Sequence, residues 1–122
     1  MKRMKINGYE IKPGADLQGV DLSGANLQGA NLEDADLKDA ILEGADLTNA
    51  NLRGADLQVV FLSDAYLLNA NLRYANLQAA NLDHANLAGA DLKGAILSPD
   101  MIWKYAKQLS VAKNLDKAVL KA

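Results

Sequence analysis

The side chains that could do chemistry in this sequence are few. His84 is the sole histidine and there is no cysteine, so no His or Cys cluster can hold a transition metal, no thiol can act as a nucleophile, and no disulfide can form. A lone histidine with no paired acid or nucleophile reads as solvated surface rather than as a ligand or base. Serines are scarce, and no Gly-rich phosphate loop leads into a helical pattern. Carboxylates are the one abundant reactive type. Pairs such as Asp36 and Asp56 are twenty residues apart and would stack like the rungs of a cation ladder, but oxygen cages for cations usually draw their ligands from one short loop. They read as solvated repeat positions. The sequence predicts no enzyme activity, no cofactor and no metal.

What must position these side chains is a repeat. Leucine recurs every five residues from Leu17 to Leu97, seventeen times without a slip, and two residues before each stands Ala, or Val at Val20 and Val60. A period of five matches neither the 3.6 of a helix nor the 2 of a flat strand. Within one repeat, Ala and Leu fall on one side of a short extended piece and the Asp or Asn between them on the other. The last two positions are often Gly, Asn or Asp, which tolerate the conformations that turn a chain. Each repeat is a stub of strand and a corner.

On these residues the chain resembles the pentapeptide repeat proteins, over positions 15–99 of the 122. The resemblance implies an all-β solenoid, a right-handed quadrilateral β-helix with four repeats per coil, hence about four coils, with Leu and Ala pointing inward. Residues i and i+20 would then lie one above the other. A solenoid exposes an apolar cross-section and unpaired edges at each end, so it needs caps. Residues 1–14 predict a hairpin around Asn7-Gly8, with Ile6, Tyr9 and Ile11 covering the first coil. Residues 100–122 predict a helical cap that opens at Ser98-Pro99-Asp100 and packs a stripe of Ile102, Tyr105, Ala106 and Leu109. A second short helix is expected beyond Ser110, although Leu115 and Leu120 also restore a spacing of five.

Charge is unevenly shared: +3 over residues 1–14 (four basic, one acidic), −8 over 15–99 (four basic, twelve acidic) and +3 over 100–122 (five basic, two acidic). An acidic middle disfavours direct nucleic-acid binding, which relies on Lys and Arg. Counting sides from Leu17, the first carries Asp16, Asp36, Asp39 and Asp56 against Lys38. The second carries Asp21, Glu43, Asp64 and Asp83 with no base. The fourth stacks Arg53, Arg73 and Lys93, offset by Glu33, Asp34 and Asp91.

The Asp/Asn position breaks its own rule at Ile41, Phe61, Tyr66 and Ile96. With Val59 and Leu68 these residues predict an apolar patch of Ile41, Val59, Phe61, Tyr66 and Leu68 near mid-length, and such surface tends to mark an interaction site. The alternative is tolerated variation beside an enlarged core at Val60. The longest apolar stretches are three or four residues, as at Val59-Val60-Phe61-Leu62, and no apolar segment follows the basic start. No membrane span or export signal is therefore expected, and cytoplasm is the expected compartment.

Two functions follow, beside a third reading as a structural module with no defined partner. One is a binding scaffold presenting the patch to a protein partner or to a second copy. The other is implied by the resemblance: some pentapeptide repeat proteins mimic DNA and bind a type II topoisomerase such as gyrase. Four coils at about 4.8 Å make a rod of about 20 Å, roughly six base pairs, so that role would need a homodimer, expected through Ile102, Trp103, Tyr105 and Leu109.

Overall fold

A computed structural model describes residues 4–122. From Leu17 to Leu97 every repeat leucine is buried, and so are the residues two before them, Val20 excepted, which is half-buried. The backbone reason is visible in the pairing. Bridges join Asp16 to Asp36, Asp36 to Asp56, Asp56 to Asn76 and Asn76 to Ile96, all parallel, and equivalent series run up the other three sides. A residue therefore pairs with one twenty positions later, so four repeats complete one turn of the solenoid.

Corners follow from one repeated hydrogen bond and one repeated dihedral angle. In each corner the amide of the next repeat's first residue donates to the carbonyl of the preceding Leu, as in Ala30 N to Leu27 O at 3.0 Å. The residue just before that amide has positive φ at every corner, as at Gly29 (66°), Asn49 (62°) and Val59 (56°). Gly suits this left-handed turn, Asn and Asp tolerate it, and a β-branched residue does so only under strain.

The consensus Asp or Asn has a structural task here. At thirteen of the seventeen positions its side-chain oxygen accepts the backbone N–H two residues on, at 3.0–3.3 Å, as from Gln18 to Asp16 and from Arg73 to Asn71. That bond satisfies an amide the ladder leaves over, an Asx-type contact that holds the turn.

At the start, β1 (Met4–Ile6) pairs antiparallel with β2 (Tyr9–Ile11), with Ile6 opposite Tyr9. The two-residue turn has positive φ at both Asn7 and Gly8, the demand that Asn-Gly meets. Ile11 is buried and Met4 and Ile6 pack on the core, but Tyr9 is exposed. The expectation for Tyr9 fails although it shares a strand face with Ile11: it pairs with Ile6 beside the Asn7-Gly8 turn, at the far end of the hairpin from the first repeat, and stays exposed.

The other end differs more from its sequence expectation. Two single turns of helix, α1 (Met101–Lys104) and α2 (Ala106–Leu109), are separated at Tyr105, whose φ of −115° leaves the helical region. The buried stripe is Met101, Tyr105 and Leu109, while Ile102 and Ala106 face solvent. Ser98 does not cap α1: its hydroxyl accepts the Ala79 amide at 3.0 Å, and Asp100 occupies the cap position.

Beyond Ser110 there is no second α-helix. The chain lies back on the solenoid: Lys113 bridges Asp91, and β3 (Ile96–Leu97) pairs parallel with β4 (Val119–Leu120). Leu115 and Leu120 thus belong to a further, irregular turn, with a 3-10 turn at Leu115–Lys117 and Asn114 in the left-handed region. The exposed edge left by the last repeats offers unpaired N–H and C=O groups, and pairing there outweighs the weak helical propensity of a short segment.

Candidate interaction surface

The four exceptions to the Asx rule give up a hydrogen bond. Ile41, Phe61, Tyr66 and Ile96 have no side-chain acceptor, so the amides two residues on lose the contact that thirteen other repeats make. Three of these four carry the apolar patch expected from sequence, and the structure places all five patch residues. Phe61 (44%) and Tyr66 (51%) are exposed, as is Val59 (46%), while Ile41 and Leu68 are half-buried. Ile41 stacks directly beneath Phe61 on the second side.

The patch is not flat. Val59 is the corner residue between the first and second sides, Phe61 lies on the second, and Tyr66 and Leu68 lie on the third. All four belong to one turn of the solenoid, so the apolar surface forms a belt around corners. Val59 adds backbone strain, because a β-branched residue is held at φ 56° where Gly, Asn or Asp is usual. Strain of this kind tends to gather where something other than folding is selected.

One aromatic escaped the sequence reading. Tyr74 is exposed at a corner with φ 62°, and the Arg53 guanidinium lies over its ring at 4.8 Å. Its signal was the corner position, normally Gly, Asn or Asp, which Val59 and Tyr74 both break.

The acidic residues lie on the first and second sides, and half of the eight have local partners. On the first side Asp36 accepts from the Gln18 amide at 2.9 Å, and Asp56 pairs with Lys38 at 3.8 Å. Asp16 accepts the Gln18 backbone amide. Asp39 and Asp64 are exposed corner residues with φ near 60°, and Glu43 and Asp83 are exposed on the second side. The Ser23 hydroxyl, 2.6 Å from Asp21, holds that carboxyl below its ordinary range. No group of three or more His, Asp or Glu among the described residues could hold a metal ion. His84 is an exposed corner residue with φ 59°.

On the fourth side, burial pushes the Asp91 carboxyl up, but the Asn114 amide at 2.8 Å and the Arg73 guanidinium at 2.6 Å outweigh it and hold the group at about 2. At the C-terminal end the residues expected to form a dimer surface separate. Tyr105 and Leu109 are buried in the chain's own core, leaving Ile102 (36% exposed) and Trp103 (75% exposed) outside.

Comparison with known proteins follows the same lines. A family model described as pentapeptide repeats matches residues 15–54 and 61–98 in eight copies. The gap between the two matched blocks falls at Ala55–Val60, beside Phe61. Among solved structures, the chain is similar to the pentapeptide repeat protein Rfr23 from the cyanobacterium Cyanothece 51142, at 33% identity over 88% of this chain and 58% of that one, with TM-score 0.61. A pentapeptide repeat protein from Nostoc PCC 7120 shares 36% identity over 90% of this chain and 80% of that one, with TM-score 0.51. QnrB1, a plasmid-mediated fluoroquinolone resistance protein, shares the fold at 24% identity over 90% of this chain and 51% of its own, with TM-score 0.67. The chain thus spans little more than half the length of Rfr23 and QnrB1. No curated protein matches it.

Proposed function

The chain belongs to the pentapeptide repeat family, whose solenoids are right-handed quadrilateral β-helices, and on that premise we propose that it is a non-enzymatic binding scaffold. The hairpin and the C-terminal segment serve as caps of a short rod, and the belt of Val59, Phe61, Tyr66 and Leu68, with Ile41 beneath, docks a protein partner in the cytoplasm. One observation carries the reading: at these positions the chain gives up Asx hydrogen bonds and accepts a strained valine, while gaining exposed apolar surface that folding does not use. Contiguous exposed apolar surface of this kind is the usual mark of a protein contact, and large aromatics are the usual anchors.

The test is affinity capture from the native source with the wild type and with a Phe61→Asn, Tyr66→Asn double variant. A partner held by the wild type and lost by an equally stable variant is the expected result. A partner retained by both would move the contact elsewhere on the rod.

A second reading rests on the acidic first and second sides. Together they carry seven of the eight excess negative charges of the repeats (eight acids and Lys38), and they would serve an acidic DNA mimic acting on a type II topoisomerase such as gyrase. A rod of about 20 Å needs a dimer for that role, and of the four residues expected to form it Ile102 and Trp103 are exposed. A supercoiling assay in excess protein decides: inhibition or protection sustains the reading, and no effect together with a monomer in light scattering removes it.

A further inference from the structure

The outward side chains obey a vertical rule. In several repeats the residue after the Leu reaches the Asp/Asn position of the next coil, eighteen residues on: Gln18 donates to Asp36 at 2.9 Å, Lys38 pairs with Asp56 at 3.8 Å, and Arg73 with Asp91 at 2.6 Å. Each of these contacts is complementary.

At the top of the fourth side the rule turns against itself. Because the returning C-terminal segment bridges Asp91 with Lys113, the same pattern puts Lys113 in the position one coil up that Lys93 would reach. Lys117 joins them, since its carbonyl accepts the Gly94 amide at 2.9 Å. Among the described residues none of these three lysines is in an ion pair. Stacked like charges destabilise unless an anion lies between or beside them.

Of these three lysines, Lys113 also lines an open groove of about 520 Å³, within the range of small-molecule sites. Arg53, Arg73 and Lys113 line it with the side-chain amides of Asn49, Asn69 and Asn71. Asp91 also lines it, but Arg73 and Asn114 already hold its oxygens at 2.6 and 2.8 Å. Arg73 uses its Nε there, so its two terminal nitrogens remain free to bind an anion in the fork geometry that suits oxyanions. Arg53 faces an aromatic ring rather than a carboxylate.

We propose that this groove binds a small polyvalent oxyanion of the diphosphate class, held by Arg53, Arg73 and Lys113, with Lys93 and Lys117 supplying the field and the asparagines supplying neutral donors. Arg53 and Arg73 stand on adjacent coils and Lys113 two coils further along, with about 4.8 Å per coil, so the three cations are spread over a length that a diphosphate, longer and more highly charged, covers better than a single phosphate. A long nucleic acid fits worse, because Glu33 and Asp34 close the lower end of the column and the two acidic sides repel an extended polyanion.

The experiment titrates inorganic pyrophosphate into the full chain at fixed low ionic strength, following heat of binding and thermal midpoint. Orthophosphate and a single-stranded oligonucleotide are run in parallel. The expected result is saturable binding of pyrophosphate with a raised midpoint, at least tenfold tighter than orthophosphate, and weakened tenfold or more in Lys113→Gln and in Arg53→Gln. Without ligand, Lys113→Gln should melt no lower than the wild type, since a like-charge contact is removed. Absence of saturable binding at millimolar pyrophosphate would overturn the proposal. So would an equal midpoint shift from sodium chloride at matched ionic strength, binding unchanged by both substitutions, or tighter binding of the oligonucleotide.

Discussion

Val59 and Asp91 show how much a single position can carry in so regular a chain. Val59 sits at φ 56°, a conformation that costs a β-branched residue about 1–2 kcal/mol. Val59→Asn is therefore expected to stabilise the protein by about 1 kcal/mol, seen as a higher denaturant midpoint at unchanged m-value. A lower midpoint would mean that the valine contributes packing its 46% exposure does not suggest. Asp91 makes the opposite kind of contribution. Its folded pKa of about 2 lies below the ordinary 3.8, so its stabilisation is present in full above about pH 4 and is lost as pH falls toward 2. The stability difference between wild type and Asp91→Asn should accordingly shrink over that window in acid titrations followed by circular dichroism.

The elements were legible to unequal degrees. Leu and Ala at fixed spacing left only an inward side for both, and Asn7-Gly8 could only be a two-residue turn, so repeats and hairpin followed from pattern. The C-terminal segment did not, because its partner is the edge of coils far back in the sequence. Asp91 to Lys113 is a separation of 22 residues and Ile96 to Val119 one of 23. Those offsets exceed the regular twenty because α1, α2 and the 3-10 turn take up extra chain, which puts Leu115 and Leu120 out of phase with Leu97. Hydrogen exchange separates the two readings of this segment. The amides of Val119 and Lys121, bonded to Ala95 O at 2.8 Å and Leu97 O at 2.9 Å, should be protected. Protection running four residues apart across 111–122 would instead indicate the helix that the sequence suggested.

Across the whole molecule, stability comes from neighbouring coils, since one coil buries too little apolar surface to offset the order it requires. The cost of a cavity should therefore depend on height. Leu57→Ala, with neighbours above and below, is expected to cost about 2–5 kcal/mol. Leu17→Ala, in the first repeat, should cost distinctly less because its coil can loosen alone. Equal costs in chemical denaturation would mean that the rod unfolds with no gradient along its length. The same regularity explains why function is hard to read here. Thirteen Asx contacts, seventeen leucines and the corner turns all serve shape, which leaves meaning to the exceptions. The apolar belt could be read from the sequence because Ile41, Phe61 and Tyr66 interrupt a position that is otherwise always Asp or Asn, apart from Ile96. The groove at Lys113 could not, because it exists only once the last segment has folded back.

The central claim is that the exceptions serve something other than folding, and the unfolding free energy of Phe61→Asn tests it most directly. Asparagine restores the missing acceptor for the Ser63 amide, worth about 0.5–1.5 kcal/mol, and loses the stacking of Phe61 on Ile41, worth about 0.2–1 kcal/mol. The account predicts a variant as stable as the wild type or up to about 1 kcal/mol more stable. A loss of about 3 kcal/mol or more, the range of a truncated core phenylalanine, would show that Phe61 holds the solenoid together and would contradict it.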